Sequence, residues 1–151
     1  MILEMLLAIL LQITTAVPKA HYGHHGSVLL PDHVYTPGIV RTTDASLVCH
    51  STTKAIRQPG IQTVYVLYGA TKVKGKCCEI DHLISLELGG DNGLANEGPQ
   101  PYEPRPGAHE KDVVENYLHA QVCSGKMSLT DAQKQIAMDW YAVYLKMPGK
   151  Q

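Results

Sequence analysis

The sequence predicts an α+β fold, and three observations carry the prediction. Lys76 to Asn92 reads as a short strand, a bend and a Gly-rich turn ending in Gly89-Gly90-Asp91-Asn92. From Ala108 to Val122, apolar side chains recur at Val113, Val114, Tyr117, Leu118 and Val122, with Glu110, Lys111, Asp112 and Glu115 on other faces, which is the period of an amphipathic helix. A further helical stretch begins after Ser128, where Ala132, Ile136, Trp140 and Tyr144 repeat at four-residue spacing.

A chain of 151 residues, 44% of them hydrophobic, is long enough for one domain with a modest core and too short for two. Thirteen Lys and Arg against fourteen Asp and Glu give a formal net charge of −1. That balance argues against a strongly basic polyanion binder, so any positive potential has to be local or brought by a bound cation. Phe is absent, which leaves Tyr, Leu and Val to fill the core, with the single Trp140 as an anchor.

At the N-terminus, Ile2 to Ile13 is an apolar run broken only by Glu4 and Gln12. It is shorter than the roughly 20 residues that span a bilayer and suits the apolar region of a signal peptide, with Thr14 and Ala16 as the small residues of a cleavage site. Residues 1–16 are therefore expected to be a signal peptide, the alternative being an N-terminal core helix or an uncleaved anchor. The expected location is secreted, periplasmic or in the cell envelope, with no membrane association after cleavage.

Four cysteines, none in a C-x-x-C pair, fit that compartment. Four cysteines allow three pairings. The neighbours Cys77 and Cys78 are expected not to bridge each other, so that each looks to Cys49 or Cys123 or stays free.

After the cleavage site, His21, Tyr22, Gly23, His24, His25 and Gly26 form a polar stretch without usable periodicity, and residues 17–42 are expected to be a flexible, His-containing leader. Short histidine clusters of this kind bind transition metals adventitiously. The folded domain is expected over 43–147. Within it, Thr43 or Asp44 caps a short helical turn through Val48, and Gly60 to Tyr68 suits strand or helix equally, with Gly69 ending it. Pro106 and Gly107 open the amphipathic helix, Ser128 with Asp131 resembles a capping box, and Pro148-Gly149 stops the last helix.

The chemistry concentrates at Asp81-His82. Neighbouring side chains of a strand point to opposite faces, so one can hold a cation while the other meets a water or a substrate. The run Asp-His-Leu-Ile-Ser-Leu-Glu-Leu-Gly-Gly, Asn96 fourteen residues after His82, then Pro-Gln-Pro-Tyr, Gly-Ala-His-Glu-Lys-Asp and Glu-Asn-Tyr-Leu-His follow in order. Together they resemble the HNH (ββα-metal, His-Me finger) endonucleases, in a secreted or phage-associated bacterial branch. The resemblance covers about 49–144, and 81–112 is its specific part.

This resemblance implies a small ββα-metal core with additional C-terminal helices. It makes Asp81 a metal ligand, His82 the general base, Asn96 the residue that binds the loop backbone and orients that histidine, and His109 the helix ligand, with Asp112 or Glu110 as a further candidate. The implied cofactor is one divalent ion, Mg²⁺ or Mn²⁺ before Zn²⁺ or Ni²⁺, and the partner is nucleic acid, DNA ahead of RNA. Arg105, Lys111, Lys72 and Lys76 are the candidate phosphate contacts, and Glu87 is expected to brace the turn in an ion pair. Ser85, Glu97-Gly98 and Val113 depart from the family pattern. No base-reading element is evident, so cutting is expected to be largely non-specific. Two rival readings stay open: a catalytically decayed HNH-like binding or inhibitory module, and a secreted metal-handling protein.

Overall fold

A computed structural model describes residues 19–69 and 77–150. The expected signal peptide, Lys72 and Lys76 lie outside the described residues. The fold is α+β, with two small antiparallel sheets and four α-helices among the described residues.

The first sheet is a hairpin of β1 (Gly23–His25) and β2 (Val28–Leu30), with His24 opposite Leu29. This corrects the flexible leader expected over 17–42. Val28 and Leu30 are buried in the main core, and Tyr22 packs against Tyr68 at 5.1 Å between ring centroids. His25 Nδ1 lies 2.7 Å from Asp139 Oδ2. The histidines hide an in–out alternation that only these tertiary contacts complete.

Asp44 caps α1 (Ala45–His50) by accepting from Ser46 N at 2.8 Å, as the sequence predicts. The ambiguous Val- and Tyr-rich segment becomes α2 (Thr63–Tyr68), ended by Gly69 in the left-handed region at φ 59°. Val64 and Tyr68 from α2 then bury against Ala20 in a small second core.

The second sheet pairs β3 (Cys78–His82) with β4 (Glu97–Pro101), and its register sets Asp81 opposite Gly98 and His82 opposite Glu97. Helices α3 (Ala108–Cys123) and α4 (Leu129–Lys146) follow and pack on each other. Val114, Leu118, Ile136 and Trp140 are fully buried between them. α4 is interrupted at Asp139, whose Oδ1 accepts from Ala142 N at 2.9 Å and so caps the second half of the helix.

Cys49 bonds Cys123, tying α1 to the end of α3. Their Cα atoms lie 5.6 Å apart, within ordinary bridging distance. Cys77 and Cys78, expected to look elsewhere, bond each other, because the fold has already paired the other two. Disulfides are consistent with an extracellular protein. Among the described residues no helix is long and apolar enough to cross a membrane.

Candidate active site

The loop from Leu83 to Asn96 is held shut by Asn96, whose side chain is completely buried. Its Oδ1 accepts from Ile84 N at 3.0 Å, and its Nδ2 donates to Ile84 O at 2.9 Å and to Asp91 O at 2.8 Å. A buried amide with all these bonds made fixes both ends of the loop at once, because losing any of them would strand a polar group out of water. Gly90 completes the closure: a Cβ there would lie 1.8 Å from Ile84 O, so only glycine fits.

This closed loop, together with the cross-strand register, brackets His82. Nε2 lies 3.0 Å from Asn92 Oδ1 and 3.6 Å from Glu97 Oε1. Asn92 Nδ2 donates to Ile56 O at 2.8 Å, which fixes the orientation of the amide and makes its Oδ1 the acceptor toward the histidine. Nε2 therefore carries the proton, and in the neutral ring Nδ1 is left as the basic nitrogen. Glu97 Oε2 accepts from Ile61 N at 2.7 Å, while Oε1, buried and without a hydrogen bond, is turned to the same ring nitrogen.

On the other side of β3, Asp81 meets α3. Lys111 Nζ is buried, donating to Asp81 Oδ2 and to His82 O, both at 2.7 Å, and to Glu115 Oε1. Burial favours a neutral amine, yet the two carboxylates outweigh it and hold the Lys111 ammonium above the ordinary lysine range. Burial also pushes the Glu115 carboxyl up to about 8, against the pull of Lys111. Glu79, Glu87 and Asp112 are raised as well, each by desolvation first and then, for Glu79 and Asp112, by the charge of Asp81. One buried lysine thus serves a group of carboxylates whose carboxyls are raised chiefly by removal from water.

The structure brings some of the expected site residues together and leaves others apart. Asp81, His82 and Asn96 are joined through β3 and its loop. His109 sits exposed at the start of α3 with its ring 5.3 Å from that of Tyr102, and its charge is felt at Asp112. Asp81, His109 and Asp112 do not bring three ligand atoms within 4.8 Å of one another; among the described residues only Cys49, His119 and Cys123 do, and both of those sulfurs are in the disulfide. Glu110 turns away to cap α3. Glu87 makes no ion pair among the described residues, contrary to expectation; it lines a small cavity with Asp112, Glu115 and Ser85, whose buried Oγ has no partner. Of the candidate phosphate contacts, Lys111 is buried as above, and Arg105, although exposed, is paired with Glu110.

No family model, curated protein or solved structure matches the chain. Its site has to be read from its own geometry. Two residues missed in the sequence belong to that site, Asn92 and Glu97. The Asp-Asn-Gly turn was a sequence signal for the first; the second emerges only from the register that sets it opposite His82.

Proposed function

We propose that this chain is a metal-dependent endonuclease of the HNH type, hydrolysing nucleic-acid phosphodiester bonds with little sequence selectivity. The observation that carries the reading is the setting of His82. Its Nε2–H is committed to Asn92 and faces Glu97, so Nδ1 is free to take a proton from water.

In this reading the water oxygen attacks phosphorus as His82 Nδ1 removes its proton. The bond to the 3′ oxygen breaks, that oxygen leaves and takes a proton from solvent water, and His82 later returns its proton to solvent, giving 5′-phosphate and 3′-hydroxyl ends. Asn96 acts at one remove, keeping the loop closed behind the histidine. The oxygen donors fit a hard divalent cation: the Ser85 hydroxyl is buried without a partner in the cavity it shares with Glu87, Asp112 and Glu115, and burial raises the carboxyls of Glu87 and Asp112. Asp81 and Asp112 would hold it, and His109, exposed at the start of α3, would have to move to join them. When bound, Mg²⁺ or Mn²⁺ supplies the charge that offsets what develops on the transferring phosphoryl group.

One observation favours a second reading. Lys111 already neutralises Asp81, as it would in a decayed module that binds nucleic acid without cutting it. End-labelling of digested duplex DNA separates the two. The nuclease reading predicts a continuous ladder of fragments with 5′-phosphate and 3′-hydroxyl ends; 3′-phosphate ends or discrete sequence-defined bands contradict its chemistry, and uncut DNA in Mg²⁺ and in Mn²⁺ belongs to the decayed module.

A further inference from the structure

Two of the cations that the sequence offers to a polyanion are spent on the protein itself. Lys111 is buried among carboxylates and Arg105 is paired with Glu110. The other two arginines of the chain behave differently. Arg41 and Arg57 are exposed, and neither guanidinium makes an ion pair or a hydrogen bond among the described residues.

These two side chains line one polar cleft of about 620 Å³, together with Gln58, Asp91, Asn92 and Gly93. The backbone holds both in place. Arg41 N donates to Gly89 O at 2.7 Å, beside the bridge of Val40 to Gly90, and Arg57 N donates to Thr53 O at 2.9 Å. Asp91, the one acid in the lining, has Oδ1 turned to Gly93 N at 2.7 Å. Asn92 forms the wall between this cleft and His82, with its Oδ1 on the histidine and its Nδ2 on Ile56 O, next in sequence to Arg57. Arg57 also lines the smaller cavity that holds Ser85, Glu87, Asp112 and Glu115. It therefore stands between the cleft and the carboxylates.

We infer that this cleft is a phosphodiester-binding subsite in which Arg41 and Arg57 grip backbone phosphates beside the bond that His82 addresses. The inference rests on the nuclease reading for the identity of the polyanion. A planar guanidinium offers two parallel N–H donors to one phosphate, and two such groups in a cleft orient a strand without reading bases. That also reconciles a net charge of −1 with a nucleic-acid substrate, since the attraction is local.

The test is a fluorescence-anisotropy titration of a short labelled DNA duplex with the full chain in EDTA, repeated at several salt concentrations. Arg41→Ala and Arg57→Ala should each weaken binding several-fold, and each should flatten the slope of log K against log salt by about 0.9, the value of one lost phosphate contact. Arg→Lys at either position should recover the slope and part of the affinity. Both side chains are exposed and unpartnered, so the variants should unfold at the wild-type temperature. Binding that is absent in the wild type, or unchanged in the double variant, overturns the inference. So does displacement of the duplex by inorganic phosphate at equal phosphate concentration, which marks a simple anion site. Arginine-dependent binding without cleavage in Mg²⁺ upholds the subsite and removes the nuclease reading. Cleavage and binding that ignore both arginines do the reverse.

Discussion

Lys111 Nζ lies 2.7 Å from Asp81 Oδ2, and the lysine that makes this contact is only 1% exposed. The helix α3 delivers a full positive charge beneath the strand that carries the Asp81-His82 pair. There it also binds the His82 carbonyl, so one side chain fixes the backbone at both residues. Removing the ammonium would leave the half-buried Asp81 without its counterion and Glu115 without its donor.

Lys111→Met should therefore be strongly destabilising, by about 3 to 5 kcal/mol, the usual cost of breaking a buried ion pair from one side. Urea unfolding of the two proteins measures it. In the variant, Mn²⁺ should raise the unfolding midpoint more than in the wild type, because the carboxylates have lost their internal cation. A loss below about 1 kcal/mol, the ordinary worth of an exposed pair, would show that Lys111 is solvated after all.

Glu110 predicts a pH dependence. Arg105 first, and then the Gly107 amide, which donates to Glu110 Oε2 at 2.7 Å, hold its carboxyl below the usual range. A depressed folded-state pKa contributes stability that is present above the unfolded value of about 4.3 and is lost as pH falls through the folded one. Glu110→Gln should thus cost about 1 kcal/mol near neutral pH, chiefly through the first turn of α3, and the gap to the wild type should close on acidification below about pH 4. Unfolding curves at the two pH values check the sign. A gap that widens in acid would reverse the assignment.

The parts of this fold legible in the sequence are those with a period of their own. Val114, Leu118 and Val122, and then Ala132, Ile136 and Trp140, mark α3 and α4 because each helix buries one face. The hairpin of β1 and β2 was not legible, since His24 and His25 give a polar reading to strands whose anchors, Val28 and Leu30, make sense only once Trp140 and its neighbours are in place. At the site, Asp81, His82 and Asn96 stood out by type and order. Lys111 was legible only as a candidate phosphate contact, because a lysine among helical carboxylates reads as solvated until β3 is laid across it. Arg41 and Arg57 are far apart in the chain and meet only through the loop after β3.

The Cys49–Cys123 bridge closes a loop with a sequence separation of 74. By loop-closure entropy its loss should cost about 4 kcal/mol. The Cys49→Ser, Cys123→Ser double variant should show this as a lowered unfolding midpoint, and reduction of the wild type should move the midpoint in the same direction. A double variant as stable as the oxidised protein would mean that α1 and α3 are held by packing alone.

Plasmid cleavage by wild type and His82→Ala, each with Mn²⁺ and with EDTA, tests whether His82 activates water at a metal-dependent site. The wild type should nick in Mn²⁺ and not in EDTA, and His82→Ala, in a preparation that still unfolds cooperatively, should cut about 10² to 10⁴-fold more slowly in Mn²⁺. Cutting that persists in EDTA, or a His82→Ala variant that nicks at the wild-type rate, would contradict that mechanism.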